Sequence, residues 1–287
     1  MALLAASYDA IKAARPDAAV IGGALAPRGA DNPTGTKPTH SPTSFIRDLG
    51  AAYRASGRTT PLMDVFDMHV YPDNSSLPPS MEHVSTSTIA LADYGKLVSL
   101  LGQAFDGTAQ LGSTLPIFYG EFGVESIIPA AKTGVYSGTE PAATTKPVDE
   151  ATQSKYYVEA LKVASCQANV IGLLVFHVTD ESDLARWQSG PYYADDTAKS
   201  SLPAIRDAAD ASRAGSLTTC PDATPPTATL TAPATGTVGG AGGLTLTATA
   251  SDDVGVGRVQ FLANGAVAGT DYGSPYSLTW TPTVSGT

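Results

Sequence analysis

The sequence predicts an α/β domain built on a parallel sheet, followed by a small all-β module. Over residues 1–215, segments with helical spacing alternate with short apolar runs that suit buried strands. Residues 216–226 are rich in proline and polar side chains, as linkers are. Beyond them, at 227–287, the composition shifts to Thr, Ala, Val and Gly and alternates with a period of two residues. We therefore expect two domains joined by a linker.

The first domain consists of four repeats of a strand and a helix. Apolar side chains recur at helical spacing near residues 3–15, 43–56, 86–106, 152–168 and 200–213. Parallel strands covered by helices are apolar on both faces. The runs with this character are Ala18–Ala24, Met63–Val70, Pro116–Gly120 and Val170–His177. Their centres lie about 50 residues apart, which indicates a βα repeat.

Four βα units are half of an eight-stranded barrel, and a half barrel would expose apolar strand faces to water. We therefore expect the chain to be an interior piece of a longer protein. The alternative is a complete open sheet of the flavodoxin type, which would need a glycine-rich phosphate-binding turn. Gly22-Gly23 begins no such motif, so this alternative is disfavoured.

The second domain resembles a bacterial immunoglobulin-like module, with Asp222–Thr227 at its start and Ala250–Val256 inside it. Strands are predicted at Leu244–Ala250, Gly257–Leu262 and Tyr276–Trp280, and Asn264-Gly265 predicts a hairpin turn. The module ends after about five strands, fewer than a complete sandwich, so we expect it to be incomplete. Within it, Asp252-Asp253 is interpreted as a polar turn in preference to a calcium site. The resemblance implies a spacer or a surface-associated appendage.

Charge and hydropathy exclude several classes of function. The net charge is −10, which disfavours nucleic acid and anionic membranes and suits a neutral polysaccharide or oligosaccharide. No apolar run reaches the ~20 residues of a membrane span, and Met1–Ser7 lacks the basic start of a signal peptide. No histidine and carboxylate residues have metal-ligand spacing, so we predict no catalytic metal and no cofactor. No obligate protein partner is indicated.

The two cysteines, Cys166 and Cys220, cannot form a four-ligand zinc site. One interpretation is a disulfide that ties the end of the first domain to its body. The other is a pair of unrelated buried thiols. Cys220 lies in a polar linker where a free thiol would be exposed, which favours the disulfide and an extracellular location.

Polar side chains cluster where the four predicted strands end, the edge at which parallel α/β barrels place their chemistry. They are Arg28 after the first strand, His69 and Tyr71 at the second, Glu121 at the third, and His177, Asp180 and Glu181 at the fourth. Glu125, Asp73, His83 and His40 are interpreted as solvated loop or helix residues.

Glu121 has two interpretations. It could be a solvated carboxylate, or one paired with Arg28 or Lys132. It could also be a nucleophile that the strand holds rigidly and partly desolvates. His69 and Tyr71 are two residues apart, so they point to the same side of their strand and could donate hydrogen bonds to a neighbouring carboxylate. Alternatively, both pack as ordinary residues at the rim.

These strand ends resemble the second half of a retaining (β/α)8-barrel glycoside hydrolase, from the large clan of cellulases, mannanases and β-xylosidases. Val20–Gly23 resembles the fifth strand, Phe66–Pro72 the sixth, Pro116–Gly123 the seventh and Ile171–His177 the eighth. The specific parts are His-x-Tyr in the sixth strand and Gly-Glu-Phe-Gly in the seventh. The likeness covers about residues 1–210 and implies the C-terminal half of a TIM barrel, strands 5 to 8.

The resemblance implies that Glu121 is the nucleophile of a double displacement, with His69 and Tyr71 beside it. The clan's acid/base is a Glu that follows Asn at the end of the fourth strand. None of the four asparagines here precedes a Glu, so we expect the acid/base upstream of Met1 and this chain alone to be inactive.

The substrate-binding residues are expected to be Arg28, Phe176, His177 and Trp187. Many clan members carry a Trp at the end of the eighth strand, where this chain has Phe176 and His177. Trp187, with Tyr192 and Tyr193 nearby, is a candidate sugar platform; ordinary packing of that loop is the alternative. Two other functions stay open: a non-catalytic carbohydrate-binding or cell-surface protein on a degenerate barrel, and an adhesion protein that works through its immunoglobulin-like module.

Overall fold

A parallel sheet with helices makes up the first part of the chain, and antiparallel sheets make up the last part. The structure is a computed structural model. It describes residues 1–32, 34, 36, 38–217, 226–234, 243–251, 256, 259–271 and 275–282.

The helices and strands of the first part alternate as the sequence predicts. In chain order they are α1 (Ala2–Ala14), β1 (Ile21–Leu25), α2 (Pro42–Ala55), β2 (Val65–His69), α3 (Tyr94–Phe105), β3 (Ile117–Phe122), α4 (Ala142–Thr145), α5 (Glu150–Ser165), β4 (Val170–Val175) and α6 (Leu202–Arg213). The short helix α4 was not predicted. The other helices lie within a few residues of their predicted bounds, except at the start of α3.

The prediction of a helix from residue 86 is wrong, because α3 begins at Tyr94 after a 3-10 turn at Leu91–Asp93. The Asp93 carboxylate accepts hydrogen bonds from the backbone N–H groups of Ala90 (2.9 Å) and His83 (2.8 Å). These bonds give the backbone an alternative to helix just before α3. Helices α2 and α5 begin at conventional caps, where Ser41 and Asp149 accept from a backbone N–H of the first turn.

The four strands form one parallel sheet in the order β1-β2-β3-β4. Helices pack on the central strands, and Phe66, Met68, Ile117, Tyr119 and Phe122 are fully buried in the resulting core. The expectation of burial on both faces fails at the two outer strands. Ile21 of β1 is 50% exposed, and Ile171 and Leu174 of β4 are 61% and 53% exposed. In the described part of the chain, each outer strand has a strand neighbour on one side only.

The last part of the chain contains two antiparallel sheets with a small shared core. Its strands are β5 (Thr227–Ala232), β6 (Leu244–Ser251), β7 (Val259–Ala263), β8 (Ala266–Asp271) and β9 (Tyr276–Trp280). One sheet has the order β5-β6-β9 and the other pairs β7 with β8. Side chains from both sheets form the core: Leu246, Ala248, Val259, Phe261 and Tyr276.

The Asn264-Gly265 turn is confirmed as a hairpin. Both residues have positive φ angles, 51° and 79°, as a type I′ turn requires. The hairpin joins β7 to β8, a strand that was not predicted. The predicted polar turn at Asp252-Asp253 lies outside the described residues.

The linker and the predicted disulfide are described only in part, because residues 218–225 are outside the described ranges. Cys166 directly follows α5 as its C-terminal cap. Cys220 is not among the described residues, so its pairing with Cys166 stays a prediction. Across the described ranges, no helix has the length and apolar character needed to cross a bilayer.

A buried ion pair holds the long loop that follows β4. Lys199 Nζ lies 2.8 Å from the Asp180 carboxylate, and neither side chain is exposed to solvent. Lys199 also donates to Ser126 Oγ and to the Gln188 carbonyl, while Asp180 accepts from Tyr136 Oη. Each charge is therefore fully hydrogen-bonded, the condition under which a buried pair is tolerated.

Replacing Lys199 by Met should destabilise the fold by about 3–5 kcal/mol, because Asp180 is left buried without its partner. Urea unfolding of the two proteins measures the difference. Lys132→Met is the matched control, since Lys132 pairs with Asp195 at the surface and its loss should cost far less. Equal effects of the two substitutions would contradict this account.

Candidate functional site

A cleft with a volume of about 500 Å³ opens where the strands of the parallel sheet end. The loops after all four strands contribute to it, as expected for the carboxyl edge of a parallel sheet. The polar and aromatic side chains that line it include Arg28, His69, Tyr71, Asp73, Glu121, Glu125, Arg186 and Trp187. Glu121 and both of its predicted neighbours therefore share one cavity.

Glu121 receives two polar contacts on the same carboxylate oxygen. Parallel pairing of β2 with β3 places His69 directly opposite Glu121. Tyr71 Oη donates to Glu121 Oε2 at 3.0 Å, and His69 Nδ1 lies 3.2 Å from the same oxygen. Burial, followed by the charge of Glu121, raises the pKa of Tyr71, so its hydroxyl stays protonated and donates. The described residues make no hydrogen bond to Oε1, which leaves that oxygen available.

The two ion pairs considered for Glu121 are not seen, although its side chain is 31% exposed. Arg28 donates to Asp73 Oδ1 at 2.9 Å and to the Pro72 carbonyl at 3.0 Å, so it braces the loop after β2 at the rim of the cleft. Lys132 pairs with Asp195 at 2.8 Å. Neither cation is placed to neutralise Glu121.

Asp67 is a residue of this site that sequence reasoning missed. Its Oδ1 accepts a hydrogen bond from the Gly120 backbone N–H at 2.8 Å, and its Oδ2 lies 3.8 Å from His69 Nε2. A Cβ at position 120 would come within 2.6 Å of this carboxylate, so any larger residue there would displace it. The i, i+2, i+4 spacing of Asp67, His69 and Tyr71 could have revealed it, because side chains at that spacing share one face of a strand.

An aromatic cluster forms one wall of the cleft. The rings of Tyr71 and Trp187 lie 5.0 Å apart, and Phe176 packs edge-on against both at 6.1 and 5.5 Å. Trp187 lines the cleft, whereas Phe176 and His177 are not among its lining residues. His177 stacks on Phe176 at 3.9 Å. Phe176 and His177, which were expected to contact substrate, therefore pack behind Trp187 and do not line the cleft.

The other polar residues predicted at the end of β4 also lie outside the cleft, where they stabilise the loop that follows β4. Asp180 is buried with Lys199, and Glu181 Oε2 accepts from the Trp187 backbone N–H at 3.1 Å. Tyr193, expected near Trp187, is buried and donates to Glu150. None of these side chains lines the cleft.

The interpretation of Glu125 and His83 as solvated residues is wrong, although Asp73 and His40 are exposed as expected. His83 is buried, with Nδ1 2.9 Å from Asp93 Oδ2. Glu125 is only 4% exposed although it lines the cleft, and its Oε2 has no hydrogen-bond partner among the described residues. His83 and Glu125 both lie in loops that fold back onto the core. Helical or strand periodicity does not predict how such loops fold.

Burial raises the pKa of Glu125 to about 7, and the nearby carboxylates Glu140 and Asp180 add to the effect. Lys199 opposes it. Glu121 and Glu125 therefore differ: Glu121 is hydrogen-bonded and partly exposed, whereas Glu125 is buried and neutral over most of the acidic range. Among the described residues, no three histidine, cysteine or acidic side chains are grouped so that they could hold a metal ion.

Comparison with known families identifies the second part of the chain. Residues 226–287 match the family model described as a bacterial Ig domain. This match confirms the resemblance of the β module, and it covers less than half of the chain. No curated protein sequence matches.

Solved structures similar to this chain include glycoside hydrolases. Bacteroides uniformis β-glucuronidase 2 is 15% identical, with a TM-score of 0.39 over 99% of this chain and 28% of its own. An exo-β-agarase is 12% identical, with a TM-score of 0.45 over 76% and 22%. A β-galacturonidase from Eisenbergiella tayi is 16% identical, with a TM-score of 0.33 over 53% and 24%.

This chain thus spans about a quarter of the length of the structures it matches. TM-scores of this size do not establish a common fold. Evidence for a function therefore comes from the side chains of the cleft and not from these similarities.

The raised pKa of Glu125 makes stability depend on pH. Between about pH 4.5 and pH 7 the folded protein keeps the Glu125 proton that the unfolded chain has lost, so stability falls as pH rises through this window. Glu125→Gln removes that dependence. We expect it to stabilise the protein at pH 7.5 by roughly 1–2 kcal/mol more than at pH 4.5, a discounted value because solvent in the open cleft screens part of the effect.

Urea unfolding of the wild type and the variant at the two pH values measures this difference. Glu82→Gln at an exposed position is the control and should leave the pH dependence unchanged. A pH dependence that survives in Glu125→Gln would show that another group causes it.

Proposed function

We propose that this protein hydrolyses O-glycosidic bonds of a polysaccharide or oligosaccharide by a retaining double displacement, with Glu121 as the nucleophile. The observation that carries the proposal is the pair of contacts on Glu121 Oε2, from Tyr71 Oη at 3.0 Å and His69 Nδ1 at 3.2 Å. A nucleophilic carboxylate has to be fixed in direction, and the Tyr71 donor together with the nearby His69 ring on one oxygen serves this while the other oxygen attacks.

In this mechanism Glu121 Oε1 attacks the anomeric carbon and forms a glycosyl-enzyme. A second carboxyl group, about 5–5.5 Å away, first protonates the leaving oxygen and then activates water. The proposal places this acid/base in polypeptide that precedes residue 1, because no Asn-Glu pair occurs in the chain. Tyr71 and His69 hold Glu121 in position and disperse its charge until attack.

The shape of the cleft supports a carbohydrate ligand. Its volume of about 500 Å³ falls within the range of small-molecule sites. Trp187 offers an aromatic face braced by Tyr71 and Phe176, and rigid aromatic faces pack well against the apolar face of a sugar ring. Arg28 and Arg186 at the rim can donate to sugar hydroxyl groups.

The proposal extends to the fold: the four-stranded sheet would be strands 5 to 8 of a TIM barrel. The exposed apolar side chains on the two outer strands, Ile21, Ile171 and Leu174, support it, because further strands paired with β1 and β4 would cover them. An extracellular location belongs to the same proposal and depends on the predicted disulfide. The division into domains at 1–215 and 227–287 is also part of the proposal.

A second candidate function is carbohydrate binding without catalysis. The missing Asn-Glu pair favours it, together with the aromatic wall around Trp187. Transfer of a sugar to Glu121 discriminates the two functions, because a binding module forms no covalent intermediate.

The nucleophile can be tested without the acid/base residue. Dinitrophenyl 2-deoxy-2-fluoro-glycosides carry a leaving group that needs no protonation, so they should glycosylate Glu121 in this chain, with the adduct located by peptide mass spectrometry. Glu121→Gln should form no adduct and should keep the wild-type urea midpoint. A stable adduct on another residue, or one that persists in Glu121→Gln, would contradict the assignment.

Tyr71→Phe should slow the formation of this adduct about 10–100-fold, because Glu121 loses the donor that fixes the direction of its attack. Stopped-flow release of dinitrophenol measures the rate. Tyr192→Phe, outside the cleft lining, is the matched control and should react at the wild-type rate. An unchanged rate in Tyr71→Phe would mean that its hydroxyl does not orient the nucleophile.

A further inference from the structure

Glu125 is a buried polar group for which neither the fold nor the proposed mechanism accounts. It lies four residues beyond Glu121 and lines the same cleft, yet only 4% of the residue is exposed. Its Oε2 is buried and has no hydrogen-bond partner among the described residues. A buried polar atom without a hydrogen-bond partner is unfavourable, so an unpartnered carboxyl oxygen in a cleft wall points to a ligand.

The backbone of Glu125 is fixed on both sides. Its N–H donates to Ser75 Oγ at 2.9 Å, and its carbonyl accepts from the Val148 N–H at 3.0 Å. Ser75 belongs to the loop after β2, and Val148 precedes α5. The backbone from which the side chain extends is therefore fixed before any ligand arrives, which lowers the entropic cost of a contact.

The charges around Glu125 favour its neutral form. Glu140 and Asp180 are the carboxylates that act on it. Lys199 is the cation that acts on it, and its ammonium group is already bound to Asp180, Ser126 Oγ and the Gln188 carbonyl. A protonated carboxyl group can both donate and accept a hydrogen bond, whereas an ionised one only accepts.

We propose that Glu125 is a substrate-contact residue, which in its neutral form hydrogen-bonds a hydroxyl group of the carbohydrate bound beside Glu121. This inference rests on the proposed function and specifies its substrate class. A hydroxyl group can accept from the neutral carboxyl group and donate to it in turn. A sugar carboxylate beside Glu125 would meet the charges of Glu140 and Asp180, so this position favours a neutral hydroxyl group over the carboxylate of a uronic acid.

Binding of neutral saccharides should depend on pH through this residue. Glu125 is largely neutral at about pH 5.5, whereas at about pH 8 only about a tenth of it is, so the affinity should be about tenfold weaker there. Glu125→Gln keeps the shape and a donor, so its affinity should be nearly equal at the two pH values. Glu125→Ala should bind more weakly at both.

The experiment is calorimetric titration of the full chain with cellotriose, mannotriose and xylotriose, and with trigalacturonate as the anionic probe. Wild type, Glu125→Gln, Glu125→Ala and the exposed control Glu82→Gln are compared at both pH values. The expected result is a pH-dependent affinity for at least one neutral probe in the wild type and in Glu82→Gln alone, with weaker binding of trigalacturonate.

Two results would overturn the inference and leave the proposed function standing. One is a Glu125→Ala variant that binds as tightly as the wild type while Glu121 still forms its adduct. The other is a Glu125→Gln variant that reproduces the wild-type pH dependence. If the wild type bound none of the probes and formed no adduct, the proposed function would fail, and the inference with it.

Discussion

The parallel register between β2 and β3 is the constraint on which the site depends. It sets His69 opposite Glu121, and Tyr71, two residues further along, then reaches the same carboxylate oxygen. The hydrogen bond from the Gly120 N–H to Asp67 fastens the two strands just before this point. A slip of one residue would turn His69 and Tyr71 to the helix-covered face, so the site and the core cannot be changed independently.

Two carboxyl groups four residues apart acquire different properties from their surroundings. Glu121 leaves the sheet at a rim where the Tyr71 hydroxyl, the His69 ring and solvent reach its carboxylate. Glu125 is almost fully buried in the cleft wall, near other carboxylates, and its pKa rises to about 7. Enzymes of many kinds separate the roles of paired carboxyl groups in this way, by placing them in different surroundings. The difference arises because the loop after β3 turns back toward the core directly beyond Phe122.

The sequence predicts those features that depend on periodicity and strand ends. The four strands, five of the helices and the meeting of Glu121 with His69 and Tyr71 all follow from spacing, because parallel strands bring their carboxyl ends to one edge. Glu125, His83 and the Asp180–Lys199 pair could not be predicted, since they depend on how loops fold onto the core. Phe176 and His177 were placed at the correct strand end, but the backbone there turns them behind Trp187; His177 has a φ of 66°. The exposure of Ile21, Ile171 and Leu174 on β1 and β4 agrees with the expectation that four βα units alone leave apolar strand faces open to water.

The buried Asp180–Lys199 pair anchors the long loop after β4, which contributes Trp187 to the aromatic wall. Removing both charges from water is costly, and the loop recovers that cost only in the one arrangement that satisfies every donor and acceptor. Asp180 also accepts from Tyr136, which belongs to the loop after β3, so the pair connects two loops that border the cleft. The adjacent Glu181 holds the backbone N–H of Trp187. Charged residues that do not line the cleft therefore position Trp187. A ligand that packs on its ring needs little further ordering of the loop.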